Sequence, residues 1–129
     1  MNLEEKNLAV WSASASAIAL VPAARFKVPG NWEGIIRPYV VQQPIVETGE
    51  DVHSGALIPL RTWDFYQFSI IADSYKSAKD VAEKMRTVFV GNIDGVQYFY
   101  RGQRWIGEEN LEGVGMMAVD FRICETLSA

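Results

Sequence analysis

The stretch LRTWDFYQFSIIAD, residues 60–73, does most to limit how this chain folds. Side chains alternate along a strand. Trp63, Phe65, Gln67, Ser69 and Ile71 should therefore share one face, and Thr62, Asp64, Tyr66, Phe68 and Ile70 the other. Both faces carry large apolar groups, as in a central strand covered on both sides. The strand runs straight into a helix, SYKSAKDVAEKMRTVF, with Asp73 or Ser74 placed to cap it. Ala78, Val81, Ala82, Met85, Val88 and Phe89 form its apolar stripe. Lys76, Lys79, Asp80, Glu83, Lys84 and Arg86 fill the opposite side. Burying each large member of the stripe contributes roughly 1.5–3 kcal/mol. Gly91 is the expected stop.

The other elements follow from the same periodicities. Residues 3–20 read as a first helix, with Leu8, Trp11, Ala15 and Ile18 at helical spacing. Asn2 is placed as its cap, and Glu4 and Glu5 suit its positive end. Ser12, Ser14 and Ser16 compete for backbone hydrogen bonds within it, and Pro22 discourages its continuation. KVPGNWEG, residues 27–34, is a loop. IIRPYVVQQPIV, residues 35–46, is a strand whose Pro38 and Pro44 place it at a sheet edge or break it at both ends. ETGEDVHSGALIP, residues 47–59, is read as a long polar connection, the kind of loop that often carries function. After the Asp94-Gly95 turn signal come the strand VQYFYRGQRWI, residues 96–106, and the polar turn EENLEGVG, residues 108–115. In MMAVDFRICE, residues 116–125, Met117, Val119, Phe121 and Ile123 point inward while Asp120 and Arg122 point outward.

The order α-β-β-α-β-β, with short turns between strands, predicts an α+β domain over residues 1–129. Its sheet is expected to be mainly antiparallel, four-stranded or slightly larger, with two helices packed on one face. A chain of 129 residues with 49% apolar and 22% charged residues can bury such a core without a metal or disulfides. The lone Cys124 fits a reducing compartment or a virion assembled in one. The N-terminal stretch lacks the basic start and unbroken apolar run of a signal peptide, and no run is long enough to span a bilayer. These features predict a soluble, non-secreted protein. A net charge of −4 argues against a protein built mainly to neutralise phosphates.

Little in the chain suggests catalysis. His53, the single histidine, has Glu50 and Asp51 near it in sequence, but one histidine with scattered carboxylates makes a weak metal site or general base. Cys124 has no placed base. Glu108 and Glu109 would point apart on an extended chain. Neither phosphate-loop spacing occurs, so nucleotide binding has no support. YFYRGQRW, residues 98–105, interleaves Arg101 and Arg104 with aromatics including Trp105. That mixture suits a subunit interface or core more than base stacking.

The succession LVPAARF, RPYVVQQPIV, SYKSAKDVAEKM and GMMAVDFRICE, over roughly residues 8–125, resembles the tail completion proteins of long-tailed bacteriophages, also described as tail terminators or head-tail joining proteins. The resemblance implies an α+β fold and a virion structural protein at the head-tail junction. It implies a ring, usually a homohexamer, that caps the tail tube at its head-proximal end and stops its growth. Its partners would be further copies of itself, the tail tube protein and a head-side connector or stopper protein. It implies no enzyme activity and no cofactor, no membrane, and at most transient contact with DNA in the lumen. Location would be the virion neck, with assembly in the host cytoplasm. A head-side connector or stopper is the alternative within the same particle. A small ligand-binding or nucleic-acid-binding α+β domain is the alternative outside it. Glu47, Glu50, Asp51, Val52, His53, Arg61, Arg101, Arg104, Trp105, Asp120 and Arg122 are the expected contact residues, with Asp64 a further charge available at a rim. The first four and His53 are chosen from the polar connection, and Arg61, Asp120 and Arg122 for charge pairing.

Overall fold

A computed structural model describes residues 2–27, 36–52, 59–106 and 115–126. The elements are α1 (Leu3–Ser12), α2 (Ala15–Leu20), a short 3-10 turn (Ala23–Arg25), β1 (Phe26–Lys27), β2 (Tyr39–Val52), β3 (Pro59–Ala72), α3 (Tyr75–Val88), β4 (Gly91–Ile93), β5 (Val96–Ile106) and β6 (Gly115–Thr126). They build an α+β fold on a six-stranded sheet of order β1-β2-β3-β6-β5-β4. The two-residue β1 runs parallel to β2, and the other pairs are antiparallel.

The first helix is two helices. Ser14 leaves the helical conformation at φ −100° and ψ 115°, and its side chain accepts a hydrogen bond from the Ala17 amide. A serine drawn from the interior of the expected helix thus becomes the cap of the next one. The break turns the buried face. Leu3, Asn7 and Trp11 are buried on α1 and Ala17 on α2, while Ile18 stands exposed. Asn2 and Glu5 form a reciprocal capping box at the start of α1.

α3 follows the sequence closely. Ser74 accepts from the Ser77 amide, and Ala78, Val81, Ala82 and Met85 are buried. Phe89 closes the helix and is itself buried, ahead of the Gly91 that was expected to do so. Gly91, at φ +70°, instead opens β4. Asp94 and Gly95, with φ 51° and 83°, make the two-residue turn into β5.

The polar connection placed at 47–59 is shorter than the sequence suggests. β2 continues through Val52 and β3 begins at Pro59, with Glu47 opposite Trp63, Glu50 opposite Arg61 and Asp51 opposite Leu60. Register breaks between Pro44 and Gly49 let the pairing run past the proline and glycine that read as strand breakers. His53 lies outside the described residues.

β3 also departs from simple alternation. A bulge between Trp63 and Tyr66 sets two residues where one would fit. Trp63 thereby joins Tyr66 in the core, in an edge-on contact at 6.2 Å. Asp64 and Phe65 both fall on the far side, where Arg122 and Arg101 meet them.

The helices pack on the face formed by Val40, Tyr66, Phe68, Ile70, Val96, Tyr98, Met117, Val119, Phe121 and Ile123. β3 is central as expected, and among the described residues the helices cover only this face. On the far face Val41, Gln67, Ser69, Ala118 and Asp120 are buried, and exposure is concentrated at Phe65, Phe99 and Ile106.

Candidate interaction surface

The far face is built by the outward residues of β3, β6 and β5. Phe65 and Phe99 stand 39% and 46% exposed there, with Ile106 at one end. Arginines lie against the rings. The Arg101 guanidinium sits 4.6 Å from the Phe65 ring centre, and that of Arg122 sits 5.8 Å from Phe99. Arg122 also lies 3.6 Å from an Asp64 oxygen. Arg104 donates to Asp120 Oδ2 at 2.9 Å and reaches Gln67 Oε1 at 3.5 Å. Gln67 in turn donates to Ser69 Oγ, and Ser69 donates to Gln43 Oε1. The result is a ribbon of arginines beside exposed phenyl rings, held from beneath by the buried Gln67, Ser69 and Asp120. Such planar, pre-ordered groups lose little entropy on contact, and arginine and aromatic residues dominate the energetics of protein interfaces.

The expected contact residues thus separate. Arg101, Arg104, Asp120 and Arg122 come together on this face. Trp105 stands on the helix side instead, edge-on to Tyr75 at 5.6 Å, and covers Gly115 so closely that a Cβ there would overlap its indole. Glu47, Glu50, Asp51, Val52 and Arg61 lie in the β2–β3 hairpin. Sequence reasoning missed Phe65 and Phe99 as surface residues. Phe99 was legible from strand alternation with Tyr98, whereas the bulge that frees Asp64 to meet Arg122 left no clear signal.

On the helix side, polar side chains fasten α1 to the sheet. Gln42 Oε1 accepts from Asn7 Nδ2 at 3.0 Å and from the Tyr66 hydroxyl at 2.9 Å, and Gln42 Nε2 donates to the Glu4 carbonyl at 3.1 Å. The Tyr98 hydroxyl donates to Asn7 Oδ1 at 2.6 Å. Lys6 pairs with Glu125 at 2.8 Å beside them. Burial pushes both tyrosine hydroxyls well above the ordinary range. The charge of Glu4 adds to the effect at Tyr66, and that of Glu125 at Tyr98. Both therefore stay neutral donors.

These hydroxyls make the fold sensitive to alkali. The folded chain holds the phenolic protons more tightly than the unfolded chain, whose tyrosines titrate near 10.0. Their contribution is full below that value and is lost as pH rises through the folded values above it. The urea midpoint should fall above pH 10 more steeply than in Tyr98→Phe. Parallel curves for the two proteins would show that Tyr98 is not part of the alkaline transition.

A groove of about 640 Å³ lies between α1 and the end of α3, with Val10, Ala13, Val88 and Ile93 on its walls and Lys6 and Lys84 at its rim. It gathers no converging set of catalytic groups. Among the described residues, no cluster of histidine, cysteine and carboxylate side chains could hold a metal. Cys124 is half-buried, with the Thr62 hydroxyl 3.7 Å from its sulfur.

Fold and surface together describe an α+β domain with helices on one face of its sheet and an arginine-aromatic ribbon on the other. No family model matches the chain, and no curated protein matches it. Among solved structures, it is similar to a chain described as "Virion of native gene transfer agent (GTA) particle". The TM-score is 0.73 at 16% identity, covering 97% of this chain and 95% of that one. The likeness therefore extends over nearly the whole of both folds.

Proposed function

We propose that this chain is a structural protein of a phage-like virion, placed at the head-tail junction. There it forms a ring that caps the tail tube, ends its elongation and joins it to the head-side connector. The observation that carries this reading is the end-to-end likeness to a chain of a gene transfer agent virion. The sheet surface supports it, because a ring needs two different patches on each subunit rather than a pocket. Arg101, Arg104, Asp120 and Arg122 serve one such contact, and Glu47, Glu50, Asp51, Val52 and Arg61 of the β2–β3 hairpin, together with His53, serve another. The role requires neither catalysis nor a cofactor.

The test is native mass across a concentration series, with negative-stain images of the same samples and of mixtures with purified tail tubes. Closed rings, six-membered by expectation, should appear alone or at one end of each tube. Tubes capped by the protein should stop lengthening in the presence of free tube subunits. A protein that stays monomeric and leaves tube ends bare and growing would overturn the proposal.

A further inference from the structure

The sheet has two unlike edges. β4 pairs with β5 only from Val96 to Tyr98, and β1 pairs with β2 only at Val40 and Val41. Among the described residues, the rest of each edge has no neighbouring strand. The Asp94-Gly95 turn joins the Ile93 carbonyl to the Val96 amide, so Val96 and Tyr98 bond toward β4. Alternation then turns Gln97 and Phe99 toward β6. It leaves the amides of Tyr100 and, past the irregularity at Gly102, of Gln103 and Trp105 pointing outward. Carried across β6 and β3, the same count puts Gln42 and Pro44 on the outer edge of β2.

These edges are treated differently. β2 offers no amide at Pro44 and shifts register before Gly49, so a strand added to that edge pairs mainly past Pro44. The β5 edge from Phe99 to Ile106 has no proline and no lysine. It carries Arg101, whose one contact among the described residues is the Phe65 ring. The far half of β2 carries Glu47, Glu50 and Asp51.

We infer that the open β5 edge, Phe99–Ile106, receives the far half of β2 from a second copy of this chain. The inference rests on the ring reading above. β2 and β5 run in opposite directions within the sheet. Rotation about an axis along the strands keeps those directions, so the two edges meet antiparallel. Laying Phe99–Ile106 along residues 43–52 brings Arg101 level with Glu47 to Glu50. β1 and β4 close off opposite ends of the two edges, so the copies must meet staggered. In a closed ring that stagger becomes a tilt of the strands. Each copy gives one edge and receives the other, the head-to-tail contact that closes rings.

The test compares Gln103→Pro with Gln103→Ala by native mass and negative stain. Proline at 103 removes an outward amide and no bond to β6, so the fold should persist by circular dichroism. Gln103→Pro is expected to weaken self-association by about tenfold or more, with Gln103→Ala near wild type. Oligomers intact in a folded Gln103→Pro would overturn the edge contact while leaving the ring reading in place. A wild-type chain that never self-associates, with or without tubes, would overturn both. If Gln103→Pro does not fold, Arg101→Glu should weaken association and Glu50→Arg on the same chain should restore it. No restoration would overturn the inference.

Discussion

Phe89→Ala should cost about 3–5 kcal/mol, the range for truncating a fully buried aromatic side chain. Phe89 sits at the end of α3 and is buried. Its ring stacks on Phe68 at 4.9 Å and meets Tyr98 at 5.2 Å and Phe121 at 6.0 Å. Trp11 and Phe26 approach it from the other side at 6.2 and 6.4 Å. One side chain thus touches β3, β5 and β6 as well as α1 and β1. Five rings surround it, and rings collapse poorly into a void, because each must move as a rigid plate. The transfer term and the cavity term therefore both apply in full. A domain of this size is stable by only about 5–15 kcal/mol, so the variant should melt far earlier or fail to fold at 37 °C. Phe99→Ala is the control. Phe99 is also aromatic and on the sheet, but it is 46% exposed, and its loss should change stability by about 0.5 kcal/mol. Urea midpoints of the two variants decide the matter. Equal losses would mean that Phe89 does not centre the core.

Phe89 also shows what is legible in the sequence. Its place at the end of a 3.6-period stripe marks it as buried from the residue pattern alone, as does the stripe itself from Ala78 to Met85. β6 is equally plain, because Met117, Val119, Phe121 and Ile123 alternate without interruption and all are buried. Periodicity reports burial well where the chain keeps one period. It fails where the period breaks. The bulge between Trp63 and Tyr66 moves Trp63 across the sheet, and no residue there marks the extra position as a glycine would. Ser14 reads as a poor helix residue, but a serine that weakens a helix and one that caps the next look alike until the turn is seen. β1 and β4 are two and three residues long, too short for any pattern to declare.

The candidate surface is legible by half. Arg101 and Arg104 stand out because arginine among aromatics is unusual composition for a strand. Phe65 and Phe99 do not, since an apolar side chain gives no sign of which face it takes when both faces are apolar. The pairings of Arg104 with Asp120 and of Arg122 with Asp64 join separate strands, and only the register brings them together.

Gln42→Leu is the second large effect, expected at about 3–5 kcal/mol although it adds apolar surface at constant bulk. Gln42 is buried on the helix side of β2, opposite Phe68. Leucine there would leave the Tyr66 hydroxyl and the Asn7 amide without the oxygen they share, and would remove the second donor from the Glu4 carbonyl. Each buried group stranded in this way costs about 1–3 kcal/mol, against well under that for the gain in apolar contact. The damage should concentrate in α1, because Asn7 and Glu4 are its anchors to the sheet. Amide exchange should accelerate across Leu3–Ser12 before it does in α3. Adding Tyr66→Phe to Gln42→Leu should recover part of the loss, since it removes one stranded hydroxyl rather than another contact. A double variant weaker than the single by the full cost of Tyr66→Phe alone would show that the two groups act independently. The fastening of α1 would then have to come from Trp11, whose indole donates to the Val21 carbonyl at 2.9 Å, and from Lys6 with Glu125.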